Sequence, residues 1–365
     1  MTTADPAPPI VPAVVLEDLR ARIRNVHRVD LPGAEDWSLG VDARYLEGLL
    51  RTWADEYDWC EVEARVRALP WALTERQEVP IRAVHQRTAT PDSPVVVLIH
   101  GWPDSVLRFA KVLPLLTDVH VVVPALPGYP FAAPLAPSRL SAAAMARAVA
   151  AAMAELGYDR YVVSAGDVGT DVAEALASTY PDRVVGLHLT DLSHHHALVD
   201  PPTDLSATES AYFERVHRWH EAEGAYNHEQ STRPNTLAIG LGDSPAGLAA
   251  WILEKLCRWS DCGGDVETVF ERKDILDWVT AYWVSGAIGT SFAPYANRER
   301  PGAMTAPTVF TMFPGDLVNA PHEFAARFFD IRSWVNASGG GHFDAWERPV
   351  DYVAGIRAAL EHRRR

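Results

Sequence analysis

Tyr161-Val162-Val163-Ser164-Ala165-Gly166-Asp167-Val168-Gly169 opens as an apolar, β-branched run and ends in small residues around one carboxylate. Val168, Val172, Ala173, Ala175 and Leu176 then follow at helical spacing. The stretch reads as a strand, a sharp turn and a helix. Such a turn lifts its central side chain above the carboxyl edge of a sheet, and Ala165 and Gly169 are small because strand and helix pass close there. The side chain lifted here is Asp167. A carboxylate in that position can attack a carbon electrophile and form an ester.

Outward from this stretch the same alternation repeats. Residues 94–99 are a continuous apolar run closed by His100-Gly101-Trp102-Pro103, with a helix predicted over 105–116. Residues 119–124 form a second such run, closed by Pro127-Gly128-Tyr129-Pro130. An Ala-rich helix is predicted over 141–156 with Ser141 as its N-cap. A strand over 183–189 follows Asp167 and its helix. Residues 307–313, a helix over 321–329, a strand over 331–336, the turn Gly339-Gly340-Gly341-His342 and a helix over 350–362 resume the pattern later. Alternating strands and helices predict a mostly parallel sheet covered on both faces. Ligands on such sheets bind beyond the carboxyl ends of the strands.

Two regions depart from this rhythm. Residues 1–93 predict a disordered tail to about residue 12, then helices over 14–26, 45–53 and 61–69. Pro70-Trp71 ends the third helix, and an edge strand follows over 78–86. Residues 194–305 predict helices with almost no strand and are crowded with aromatics, a helical cap inserted between two strands. The expected organisation is therefore an N-terminal extension (1–93), a split α/β core (94–193 and 306–365) and a cap (194–305).

Composition bounds the function. Hydrophobic residues make up 48% and charged residues 22%, as in ordinary globular chains, and the formal net charge is −15. With no basic cluster before the closing arginines, nucleic acid and anionic membrane are poor partners. No run of apolar residues is long enough to span a bilayer. Cys60, Cys257 and Cys262 form no disulfide framework, and a cytoplasmic location is expected. His194-His195-His196 is a metal candidate, disfavoured because adjacent side chains diverge.

Asp167, Asp316 and His342 fall at successive strand ends in the order nucleophile, acid, histidine. In that set Asp167 attacks, His342 activates the water that hydrolyses the ester, and Asp316 holds the imidazole. Asp191, at the end of the strand before the cap, is the second-choice acid.

These residues carry a resemblance to the epoxide hydrolases of the α/β-hydrolase fold, in the microsomal-type branch. It covers nearly the whole chain from about residue 12. His100-Gly101-Trp102-Pro103 is similar to the family's HGxP turn, and Gly340-Gly341-His342-Phe343 with Glu347 and Pro349 to its histidine turn. Phe313-Pro314-Gly315-Asp316 matches the place of the acid. Gly224-Ala225-Tyr226-Asn227-His228 and Ser291-Phe292-Ala293-Pro294-Tyr295 resemble the stretches carrying the ring-opening tyrosines.

The resemblance implies that Tyr226 and Tyr295 hydrogen-bond the epoxide oxygen. It also implies that the backbone N–H groups of Trp102 and Val168 form an oxyanion hole, and that the Trp102–Pro103 peptide is cis. It implies a bacterial-type enzyme without a membrane anchor, needing neither cofactor nor metal, whose partners are an epoxide and water. A homodimer stays open. The crowded cap points to a bulky, apolar or aromatic epoxide hydrolysed to a vicinal diol. Two departures stand out: Val168 replaces the family's usual tryptophan, and Pro130 its usual glycine. They keep two other readings in view, a haloalkane dehalogenase-like hydrolase and a non-hydrolytic binding or ring-shaping protein.

Overall fold

The computed structural model describes residues 5–31, 36–135, 140–199, 201–296 and 302–364. One sheet of eight strands organises them: β1 (Trp71–Thr74), β2 (Ile81–Gln86), β3 (Val95–Ile99), β4 (His120–Pro124), β5 (Tyr161–Ala165), β6 (Val184–Leu189), β7 (Pro307–Met312) and β8 (Asp330–Asn336). Their order is β1-β2-β4-β3-β5-β6-β7-β8. The strands from β4 to β8 pair in parallel, and β2 is antiparallel to both of its neighbours.

Strand periodicity sorts the core into two layers. Val95, Val97 and Ile99 pack on one face with Met145, Val149 and Val172, from the helices Ala142–Glu155 and Val168–Thr179. Val96 and Leu98 face the other way, onto Tyr352 and Ile356 of the helix Pro349–His362. The Ser141 hydroxyl accepts from the Ala144 N–H at 3.2 Å, capping the Ala-rich helix. No single described helix is long and apolar enough to cross a membrane.

Several local expectations are corrected. The sheet edge is β1, so Trp71 begins a strand instead of merely ending a helix. Four residues are too short to show a period, and the pairing partner lies in another strand, with Trp71 opposite Val84. The helix expected over 105–116 is two 3₁₀ turns, Val106–Phe109 and Leu113–Leu115, because Pro114 lacks the N–H that an α-helix needs there. The helix expected over 321–329 is the single turn His322–Ala325.

The described part of the N-terminal tail is bound along the protein surface. Arg67 pairs with Asp5 at 2.6 Å, Arg82 Nε donates to the Pro6 carbonyl at 2.9 Å, and Glu63 accepts from the Val11 N–H at 2.7 Å. Those partners lie more than 50 residues away in sequence, so local composition does not reveal them. Residues 1–4 of that tail and the last of the closing arginines lie outside the described residues.

Between β6 and β7 the described residues form helices and no strand. The main ones are Ala207–Glu223, Ala225–Thr232, Pro234–Asp243, Pro245–Trp259 and Arg272–Ser285. Most aromatics there serve as core. Tyr212 and Phe213 pack on Phe324, and Trp278 packs on Phe270, Phe343 and Trp346.

The turn after β5 brings the following helix against β3. A Cβ on Gly169 would lie 2.5 Å from the Ile99 carbonyl oxygen. Replacing a helical glycine by alanine ordinarily stabilises by about 1 kcal/mol. Here the backbone contact reverses the sign, and Gly169→Ala is expected to destabilise by about 1–3 kcal/mol. Urea unfolding of the two proteins measures this, and a gain in stability would disprove the close approach.

Candidate active site

Asp167 stands between β5 and its helix with φ +58° and ψ −136°, left-handed backbone that a non-glycine residue adopts only when its surroundings hold it there. The Trp102 N–H donates to its Oδ1 at 2.6 Å, and the Val168 N–H also favours the carboxylate. Gly101 has no room for a side chain, since a Cβ would sit 2.3 Å from Oδ1. The Trp102–Pro103 peptide is cis, and both residues lie in the turn after β3.

Two sites hold this turn from outside. Asp191 accepts from the Asp167 N–H at 3.2 Å and from the Thr170 hydroxyl. Burial, and then the charge of Asp316, push the Asp191 carboxyl well above its usual range. His100 is buried, its Nδ1 3.1 Å from the Gly101 carbonyl and its Nε2 accepting from the Leu126 N–H at 3.1 Å. That arrangement fits the neutral Nδ1–H tautomer, and burial lowers its pKa to about 4. His100 therefore braces the turn.

His342 reaches the same place from the loop after β8. Its N–H donates to the Trp259 carbonyl at 2.8 Å, and its ring packs edge-on against the Trp259 indole. Its Nδ1 lies 2.8 Å from Asp316 Oδ1, and its Nε2 lies 3.4 Å from Asp167 Oδ2. The second contact lacks hydrogen-bond geometry and is an electrostatic approach. Burial alone would lower the imidazole pKa, yet Asp316 and Asp167 together raise it well above the usual value. Burial likewise opposes the charge of Asp167, but His342 and the two N–H groups keep its pKa below the usual value. Asp191, the second-choice acid, directs its oxygens to the Asp167 turn; the imidazole Nδ1 goes to Asp316.

Glu347 fixes the histidine loop by accepting from the N–H groups of Gly341, Phe343 and Asp261 at 2.9, 3.0 and 2.9 Å. Burial raises its pKa to about 7. Beneath the loop, Arg108 is buried between two carboxylates. It binds Asp104, Asp344 at 2.7 Å and the His342 carbonyl at 2.8 Å.

The two cap tyrosines converge on the Trp102 ring. Tyr226 stacks on it at 5.5 Å and 10°, and Tyr295 meets it edge-on at 6.1 Å. Both are buried, and the Tyr295 hydroxyl has no hydrogen-bond partner among the described residues. Burial, then the Asp167 charge, push that phenol well above its ordinary pKa. Asp167, Tyr226, Tyr295, Asp316 and Asp191 line one narrow cavity of about 80 Å³. His194 and His195 face it as well, whereas His196 turns away to Glu174 at 2.9 Å.

Two family models match the chain, one described as epoxide hydrolase N terminus over residues 5–109 and one as alpha/beta hydrolase fold over 94–234. A Stigmatella aurantiaca protein, provisionally named an epoxide hydrolase, is 33% identical over 97% of this chain and 84% of its own length. The chain belongs to the epoxide hydrolase family. The solved epoxide hydrolase of Aspergillus niger superimposes with a TM-score of 0.85 at 29% identity, covering 97% of this chain and 95% of that one. Juvenile hormone epoxide hydrolase from the silkworm Bombyx mori gives 0.83 at 26% identity, covering 97% and 93%. The resemblance to the microsomal-type branch is thereby confirmed over the full length.

Several parts of this epoxide hydrolase site escaped the sequence reading. Arg108, Asp104 and Asp344 are three charges with no motif in common, although Asp104 and Arg108 stand one helical turn apart. Thr170 was hidden as an ordinary helix residue. Lys255 also lies outside every motif, although Trp251, Lys255 and Trp259 share an i, i+4, i+8 spacing.

The geometry predicts how His342 titrates. Its imidazolium should persist well above pH 6.5 in the parent, because two carboxylates stabilise it. Asp167→Asn removes one of them and should lower the midpoint, read from ¹⁵N shifts of labelled histidine. An unchanged midpoint would mean that the 3.4 Å contact is not an ion pair.

Proposed function

We propose that this epoxide hydrolase works through Asp167, His342, Asp316 and the two cap tyrosines in two half-reactions. Oδ2 of Asp167 attacks one epoxide carbon. The C–O bond breaks toward oxygen, and Tyr226 and Tyr295 hydrogen-bond the forming alkoxide, which takes a proton from water as the His342 imidazolium gives one up to water. The product of this half-reaction is an ester on Asp167. His342 then takes a proton from water, the hydroxide adds to the ester carbonyl, and the tetrahedral adduct expels the diol oxygen, which takes the adduct's hydroxyl proton and leaves the Asp167 carboxylate.

The observation that carries this reading is the shared position of Trp102. Its N–H holds one oxygen of Asp167, and its ring supports both phenols. The nucleophile and the two donors are thus set around one narrow cavity. Oδ1, already held by the Trp102 N–H, becomes the oxyanion when water adds, with the Val168 N–H as the second donor of the carboxylate. A phenol suits the opposite side because it is neutral at pH 7 and still a good donor.

Charge also times the histidine. In the free enzyme Asp167 helps hold His342 as an imidazolium. Esterification removes that negative charge, so the imidazole pKa falls at the stage where a base is needed. Asp316 remains to steady the cation formed when water is deprotonated.

The substituent on the epoxide would lie against Val168, Leu198, Trp219, Leu317 and Val318. The cavity accepts the ring and a few carbon atoms. A surface groove of about 360 Å³ shares Trp219, Leu317 and Val318 with it, so a bulky apolar or aromatic substituent would extend outward there. This support comes from few residues, because most cap aromatics are buried in the core. A dehalogenase reading finds no side-chain N–H next to the nucleophile, where Val168 stands.

One turnover in heavy-oxygen water should place the label in Asp167 and not in the diol. Label in the diol with none in Asp167 would exclude the ester route. His342→Gln should accumulate the ester, seen as the intact mass of enzyme plus epoxide; steady turnover without that species would remove His342 from the hydrolysis step. Tyr226→Phe combined with Tyr295→Phe should slow opening of styrene oxide by at least about 100-fold. An unimpaired double variant would contradict their donor role.

A further inference from the structure

Only three lysines occur among 33 basic residues, and one of them lies inside the cap. Lys255 is 6% exposed, on the helix Pro245–Trp259. Its ammonium stands 4.9 Å from the centroid of the Tyr226 ring, 5.6 Å from that of Trp251 and 5.5 Å from that of Trp259. Trp251 and Trp259 lie one turn before and one turn after it on the same helix, so the three side chains form one stripe. Tyr226 closes the box from the neighbouring helix Ala225–Thr232, with its ring 4.9 Å from that of Trp259.

A buried ammonium is costly unless it is paired, and lysine is seldom placed this way. Glu254 meets the Lys255 ammonium from the side and balances part of its charge. The ring faces supply the remaining stabilisation through their quadrupoles.

We propose that Lys255 is a positioning residue for epoxide opening, its boxed ammonium favouring negative charge at the Tyr226 phenol as that phenol holds the forming alkoxide. This rests on the reading of Tyr226 as a donor to the epoxide oxygen. Hydrogen-bonding an alkoxide shifts negative charge onto the phenol, and a cation against the ring stabilises that charge. The carboxylates lining the cavity act in the opposite sense. Tyr295 shows their effect, since Asp167 adds to burial in raising its pKa. The two donors are therefore unequal: Tyr226 has a cation against its ring, and Tyr295 faces the nucleophile. The charge acts in the first half-reaction, because the alkoxide is gone once the ester has formed.

Single-turnover kinetics with styrene oxide separate the two steps. Lys255→Met should slow ester formation about ten-fold, the scale of a desolvated cation–ring contact, and leave ester hydrolysis unchanged. Lys255→Arg should restore most of the loss. If the methionine variant loses its native circular dichroism, Lys255→Gln takes its place. In a Tyr226→Phe background the same substitution should have no further effect on ester formation. Equal losses in both steps, or a full loss persisting in that background, would overturn the proposal and make Lys255 a packing residue. An undiminished rate of ester formation in Tyr226→Phe alone would instead overturn the donor reading of Tyr226, and the role of Lys255 with it.

Discussion

One oxygen of Asp167 is fixed by the backbone N–H of Trp102, and the rest of the site follows from that constraint. The carboxylate can meet the Trp102 N–H only because Asp167 occupies left-handed backbone and Gly101 leaves its oxygen room. The same turn sends a helix back past β3, where Gly169 lets the two backbones touch. With Oδ1 immobilised, Oδ2 is the atom left facing His342 and the cavity. Reactivity is assigned to one atom by main-chain geometry before any side chain from the cap takes part.

Around that atom the charges are arranged in series. His342 lies between Asp316 and Asp167, one carboxylate permanent and the other consumed during the reaction. In the proposed mechanism the cap contributes neutral donors where negative charge must appear on the substrate. The buried Lys255 ammonium lies against the rings of Tyr226, Trp251 and Trp259.

Much of this was legible in the chain. The runs at 94–99, 119–124 and 161–165 are continuous and β-branched, and such runs become central strands. Asp167, Asp316 and His342 could be placed because each lies in the turn or loop that follows a strand. What escaped notice depended on distant partners. The edge strand Trp71–Thr74 is defined by β2, and the N-terminal segment is held by Arg67, Arg82 and Glu63. The cap aromatics carried little information about the cavity, since composition does not distinguish a ring lining a cavity from one packed on Phe324 or Trp346. Asp191 stood as a rival to Asp316 because both follow strands, and the direction of the imidazole separates them.

The buried trio beneath the histidine loop bears on how such a site can diverge. Arg108 lies between Asp104 and Asp344 and also holds the main chain of His342. Removing one member of a buried ionic group costs about 3–5 kcal/mol, whereas replacing the whole group by well-packed apolar residues can be nearly neutral. Stepwise drift at any one of these positions therefore crosses a deep valley in fitness, while concerted exchange does not. Lineages of this enzyme should inherit the three together or lose them together.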